Sequence, residues 1–119
     1  MNENQALAAF AAISNQTRLR IVRLLVVAGA NGRSAGTIAE AMDGAPASRI
    51  SFHLSQLEQA GLVESRREGR SIIYSATWTA LSDLVAFLMR DCCEGHCAVC
   101  DKAIELFAKC TGRPTGSTE

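Results

Sequence analysis

A mainly α fold carrying a β-hairpin wing is the architecture this sequence predicts, and three observations predict it. Residues 16–28 and 46–60 read as amphipathic helices with a short helix between them. Gly61 then ends the helical period. After it, residues 62–67 and 71–76 alternate as strands do, around Glu68-Gly69-Arg70. Two helices joined by a tight turn and followed by a hairpin form a winged helix-turn-helix, whose second helix is the one that lies in a DNA major groove.

The elements follow in chain order. Residues 5–13 are alanine-rich, with Leu7, Phe10 and Ile13 at helical spacing, and predict a first helix. Ser14 or Asn15 can cap a second helix over 16–28 that Gly29 ends, with Leu19, Val22, Leu25 and Val26 as its buried stripe and Arg18, Arg20 and Arg23 as solvated charges. Residues 29–32 are a loop. Ser34 caps a short third helix reaching Met42, which Asp43-Gly44 stops. Pro46 suits the first turn of the next helix, because its missing N–H is one the turn leaves unbonded anyway. The hairpin is too small to stand alone and must pack on the helices. Thr77 can cap a last long helix with Trp78, Leu81, Leu84, Val85 and Leu88 as its apolar stripe. A helical turn over 101–109 follows, and 111–119 reads as a frayed tail.

At 119 residues the chain is one domain, and 48% apolar with 20% charged residues is ordinary for a soluble protein. The formal net charge is zero, so no global field announces a nucleic acid. Residues 1–75 carry eight Lys/Arg against six Asp/Glu, and 76–119 carry four against six, a small asymmetry that permits DNA binding by the first part. Glu3 stands where a signal peptide would be basic, and the apolar runs, such as 6–13 and 24–28, are far short of the roughly 20 residues of a membrane span. A cytoplasmic protein with no membrane partner is therefore expected.

Wound at about 100° per residue, the helix over 46–60 puts Ala47, Ile50, Leu54 and Leu57 toward the core. Ser48, Ser51, Phe52, Ser55 and Gln59 fall opposite, flanked by Arg49 and Gln56. A merely solvated face normally carries Lys and Glu; serine, glutamine and arginine suit docking. Arg49 and Gln56 can bond base edges or phosphates, and Phe52 can touch a thymine methyl. His53 falls beside the core stripe, where a hydrogen-bonded structural histidine is expected. At the hairpin tip Arg66, Arg67 and Arg70 bracket Gly69, which suits phosphate contact or minor-groove insertion, or else a charge-capped edge.

Four of the five cysteines crowd into Asp91-Cys92-Cys93-Glu94-Gly95-His96-Cys97-Ala98-Val99-Cys100. So dense a cluster, mixed with Glu94, Gly95 and His96, is hard to bury as packing. In a reducing compartment it suggests a soft metal or metalloid, or redox sensing, rather than structural bridges.

The segments from Ala11 through Ile21 and from Ser48 through Leu57, with Ala60-Gly61-Leu62-Val63, Arg67-Glu68-Gly69-Arg70 and Tyr74, closely resemble the ArsR/SmtB family over roughly residues 5–92. That resemblance implies a homodimeric winged-helix repressor that binds double-stranded operator DNA when free of inducer and leaves it on binding a metal or metalloid. It also implies that the first and last helices form the dimer interface. Ser48, Arg49, Ser51, Phe52, Ser55, Gln56, Arg67 and Arg70 are the residues expected on DNA.

The family's sensor sites must be matched one at a time. The Cys-x-Cys site on the helix before the recognition helix is absent, since residues 34–42 hold no cysteine. The zinc site of Asp and His pairs on the last helix lacks its histidines, because only Asp83 precedes His96 there. Arsenite-responsive members carry an adjacent cysteine pair at the end of the last helix and a third cysteine a few residues on. Cys92 and Cys93 match the pair, and Cys97 and Cys100 straddle the third position, leaving either as the third ligand.

Trivalent arsenic is thiophilic and keeps a lone pair, so three thiolates in a pyramid satisfy it. The expected function is repression of an arsenic-resistance operon by a protein that leaves its operator when trivalent arsenic (arsenite, or else antimonite or an organoarsenical) binds these thiolates. Zinc remains an alternative, because Cys93, Cys97 and Cys100 with Cys92 or His96 make a tetrahedral set, and a disulfide switch is another. Cys110 is expected to be a spectator. No phosphate-binding loop is present and Cys97-Ala98-Val99-Cys100 lacks a βαβ context, so an enzyme is not expected. The expected organisation is a DNA-binding and dimerisation domain over 1–91, a cysteine-rich inducer segment over 92–110, and a flexible tail over 111–119.

Overall fold

The computed structural model describes residues 1–89 and 105. The chain divides into two units, Met1–Leu84 and Val85–Glu119. Five α-helices are described: α1 Glu3–Ile13, α2 Gln16–Ala28, α3 Ala35–Ala41, α4 Ala47–Gln59 and α5 Trp78–Met89. Three strands, β1 Arg33–Ser34, β2 Val63–Glu68 and β3 Ser71–Ala76, form one antiparallel sheet in the order β1-β3-β2. This is a winged helix-turn-helix: α3 and α4 are the two helices, and β2–β3 is the wing.

Local chemistry sets the helix ends. Asn2 caps α1 in a reciprocal box with Gln5, each side chain meeting the other's backbone N–H at 2.8 Å. Asn15 accepts from the Arg18 N–H at 3.0 Å to start α2, and Ser34 accepts from the Thr37 N–H at 3.2 Å to start α3. Between α3 and α4, Asp43 (φ 62°) and Gly44 (φ 70°) are both left-handed, which aspartate tolerates and glycine prefers. Pro46 sits one residue before α4, at its N-cap. In the wing, Val63 faces Ala76 and Glu68 faces Ser71, so Gly69-Arg70 is a two-residue turn and Glu68 belongs to the strand rather than the turn.

The core of the first unit is aliphatic. Ile21 and Leu25 from α2, Ile38 from α3, Ile50, Leu54 and Leu57 from α4, and Leu62 are fully buried. Each contributes about 1.5–3 kcal/mol by leaving water, and together they seat α4 against α2 and α3.

Four expectations change. The inward face of α2 holds Ile21, Val22 and Leu25, while Leu19 and Val26 are exposed. Residues 18, 21, 22 and 25 fall on one side of the wheel, and 19 and 26 lie about 100° round from its centre. Arg18 is consequently half-buried instead of solvated. Ala47, expected in the core, is exposed at the first turn of α4. On α5 only Leu84 of the expected stripe is buried; Trp78, Val85 and Leu88 are exposed. Finally, β1 is an added strand, pairing Arg33 with Tyr74 and Ser34 with Ile73. Gly32 makes this approach possible, because a Cβ there would stand 2.4 Å from the Tyr74 carbonyl oxygen.

Candidate nucleic-acid interface

The burial of Ile50, Leu54 and Leu57 fixes which side of α4 faces outward. Ser48, Arg49, Ser51, Phe52, Ser55 and Gln59 are exposed, and Gln56 is half-buried at the edge. Phe52 is 57% exposed, so its ring is open to a partner on the same side as these polar groups. None of Ser48, Arg49, Ser51, Ser55 or Gln56 makes a side-chain hydrogen bond or ion pair among the described residues. The face is therefore a row of unengaged donors and acceptors around one aromatic ring.

The wing carries its cations differently. Arg67 and Arg70 are exposed and unengaged among the described residues. Arg66 is tied back: Nη2 donates to the Asn31 carbonyl at 2.9 Å, Nη1 to the Ala30 carbonyl at 3.3 Å, and Nε meets Glu68 Oε2 at 2.8 Å. Among the described residues, the three tip arginines thus split into one strut and two cations without a partner. A second tie links wing to helix, with Ser65 Oγ donating to Glu58 Oε2 at 2.9 Å.

His53 is 9% exposed, on the flank of α4's buried side. Its Nδ1 lies 3.2 Å from Arg18 Nη1, and its ring centroid lies 5.8 Å from that of Phe52. A guanidinium only donates, so Nδ1 accepts and the neutral ring carries its proton on Nε2. Arg18 Nε in turn donates to the Ala12 carbonyl at 2.6 Å. Burial, then the positive charges of Arg18 and Arg49, push the His53 pKa below its ordinary value. His53 is the hydrogen-bonded structural histidine the sequence suggested.

Sequence reasoning missed two anchors, Arg18 and Arg66. The wheel held a signal for Arg18, which falls among Ile21, Val22 and Leu25. Arg66 had none, since its partners are carbonyls 35 and 36 residues away. Cys92, Cys93, Cys97 and Cys100 lie outside the described residues, as do His96 and Cys110. Among the described residues no cluster of three His, Cys, Asp or Glu could hold a metal ion, and no helix is long and apolar enough to cross a membrane.

Comparison with known proteins bears on this geometry. A family model described as a helix-turn-helix domain matches residues 13–66. The HTH-type transcriptional regulator YgaV of Escherichia coli K12 is 35% identical over 89 residues, covering 75% of this chain and 87% of that protein. A probable mercury resistance operon repressor of Streptomyces lividans is 31% identical over 112 residues, covering 92% of this chain and 78% of that one. Among solved structures, an ArsR-like transcriptional regulator from Rhodococcus sp. RHA1 matches with a TM-score of 0.66 at 29% identity, over 89% of this chain and 92% of that one. The homodimeric winged helix-turn-helix DNA-binding domain of a possible ArsR-family regulator from Mycobacterium bovis matches with a TM-score of 0.59 at 31% identity, over 86% and 83% of the two chains.

Proposed function

The chain belongs to the ArsR/SmtB family of winged helix-turn-helix transcriptional regulators, and from that premise we propose that it is a homodimeric cytoplasmic repressor that leaves its operator when trivalent arsenic binds its clustered thiolates. The observation that carries the DNA half is the outward face of α4. Ser48, Arg49, Ser51, Ser55 and Gln56 stand unengaged among the described residues, beside the exposed Phe52, on a helix whose other side is locked into the core. On the wing, Arg67 and Arg70 are exposed and without an ion pair among the described residues. Serine, arginine and glutamine at that spacing suit base edges and phosphates, and Phe52 suits a thymine methyl. The dimer reading is supported by the homodimeric Mycobacterium bovis neighbour and by the exposed apolar side chains Leu7, Phe10 and Trp78 of the first unit, which a second copy would cover.

The inducer half rests on the donor set in the sequence. Cys92 and Cys93 begin three residues beyond the end of α5, with Cys97 and Cys100 following, and three thiolates suit a soft, pyramidal trivalent centre. A second reading, mercury(II), is favoured by one specific observation. The Streptomyces mercury resistance relative aligns over 92% of this chain, too much for the alignment to omit residues 92–100 from either end.

Capture of the inducer next to α5 would act on DNA through the dimer contact that α5 helps to make. Such coupling is typically about 1–3 kcal/mol and is reciprocal, so operator DNA must weaken inducer binding by the same factor. The test is fluorescence anisotropy on a labelled duplex selected by the protein from a random-sequence pool, titrated with arsenite and separately with mercury(II). Release by arsenite that Cys92→Ser abolishes, with binding before induction retained, is the expected result. A Cys92→Ser protein still released by arsenite would remove the pair from the site. Release by mercury(II) alone would favour the second reading.

A further inference from the structure

The Arg18–His53 contact joins three helices through two side chains. Arg18 leaves α2, spends its Nε on the Ala12 carbonyl near the end of α1, and reaches α4 through Nη1 to His53 Nδ1. His53 stands between Phe52, on the exposed face, and Leu54, in the core, so its ring lies at the junction of α4's two faces. We propose that His53 is a positioning residue for DNA recognition: its neutral ring, accepting from Arg18, sets the seat of α4, and a proton on that ring unseats the helix and weakens DNA binding. This rests on the reading of α4 as the DNA-contacting helix.

The chemistry runs one way. Arg18 has no acceptor, so the contact needs a lone pair on Nδ1. Protonation turns Nδ1 into a donor facing a donor 3.2 Å away and sets two cations side by side. The charges acting on the ring are Arg18 from α2 and Arg49 from α4 itself, both positive. Glu3 of α1, Glu40 of α3 and Glu64 and Glu68 of β2, the carboxylates on the other elements packed against α4, do not offset them. Among the described residues a protonated ring thus meets two positive charges and no carboxylate that counters them, Glu58 of α4 itself included. Burial and these charges also keep the ring neutral at ordinary pH, so the switch acts on the acid side of about 6.5.

The ring can be tested without DNA. Nitrogen NMR of the full-length protein should show His53 with its proton on Nε2 and a bare Nδ1 at neutral pH, titrating below the ordinary histidine value; a proton on Nδ1 would overturn the proposal. For binding, the readout is the ratio of affinities at about pH 7.5 and about pH 5.5 for a duplex selected by the protein from a random pool. The wild-type protein should lose severalfold across that range, with about tenfold as the ceiling for one proton on a group that titrates below about 6.5. His53→Asn keeps an acceptor near the Nδ1 position but cannot be protonated, so its ratio should fall toward about one. His53→Leu should bind more weakly than His53→Asn at both pH values. An asparagine variant with the wild-type ratio would sink the proposal, because the acid loss would then belong to another group such as His96, the chain's second histidine. Undiminished binding by Arg49→Ala would instead overturn the reading of α4, and the ring spectrum separates that failure from a failed seat.

Discussion

Helix α4 and the wing both present arginines to solvent, yet they are held by opposite means. Ile50, Leu54 and Leu57 bury one whole side of α4, so its position is set by a close-packed aliphatic core. The wing buries only its base, Val63, Ser75 and Ala76, and every residue from Glu64 to Ile72 is exposed. Its aim is set by polar ties, Arg66 to the carbonyls of Ala30 and Asn31 and Ser65 to Glu58. Each such bond is worth about 0.5–1.5 kcal/mol net, against several kcal/mol for the side chains under α4. A rigid reader beside a lightly tethered arm is what this difference implies. On the proposed reading as a DNA-binding repressor, base selection would fall to α4 and adjustable phosphate contact to the wing.

The sharpest way to break the comparison is to empty the seat. Leu54→Ala should cost about 2–5 kcal/mol in denaturant unfolding, whereas Ile72→Ala on the wing should change stability by about 0.5 kcal/mol or less. Equal losses would show that the wing is structurally as important as the core. Next in size is Arg49→Ala, which should weaken binding to a selected duplex by about 1–3 kcal/mol and relax its sequence preference. Arg67→Ala should weaken binding to all sequences alike and lower the salt slope by about one. Arg66→Ala, by contrast, should lower affinity modestly through a loosened wing while leaving that slope unchanged. A slope that fell equally for Arg66 and Arg67 would make Arg66 a phosphate contact and not a strut.

Acid gives a smaller test of the seat. The folded value of His53 lies below its ordinary value of about 6.5, so between the two the unfolded chain binds the proton more readily. The stability this group contributes is thus fully present above about pH 6.5 and is lost as pH falls through the folded value. Unfolding midpoints measured on both sides of that window should drop with acid in the wild-type protein. They should drop less in His53→Asn.

Much of this architecture is legible in local chemistry. Asn15, Ser34, Gly29 and Gly61 mark helix ends because caps and left-handed stops act within a few residues. The outward face of α4 follows from a wheel because Ile50, Leu54 and Leu57 leave one side for the core. Strand β1 was not legible, since two residues show no period and Arg33–Ser34 exists only because β3 lies beside it. The stripe of α2 was drawn too far round because hydrophobicity alone weights Leu19 and Val26 like Ile21. A stripe extended that far puts Arg18 on the solvated side, whereas it is half-buried against His53.

By itself, the order of residues determined the helix-turn-helix, the wing and the thiol cluster beyond α5, because capping, periodicity and cysteine spacing are properties of neighbours along the chain. Only the tertiary structure decided that Arg18 holds His53, that Arg66 braces the wing while Arg67 and Arg70 have no such tie among the described residues, and that β1 exists. Those choices depend on groups 35 or more residues apart meeting at hydrogen-bonding distance, which no local pattern encodes.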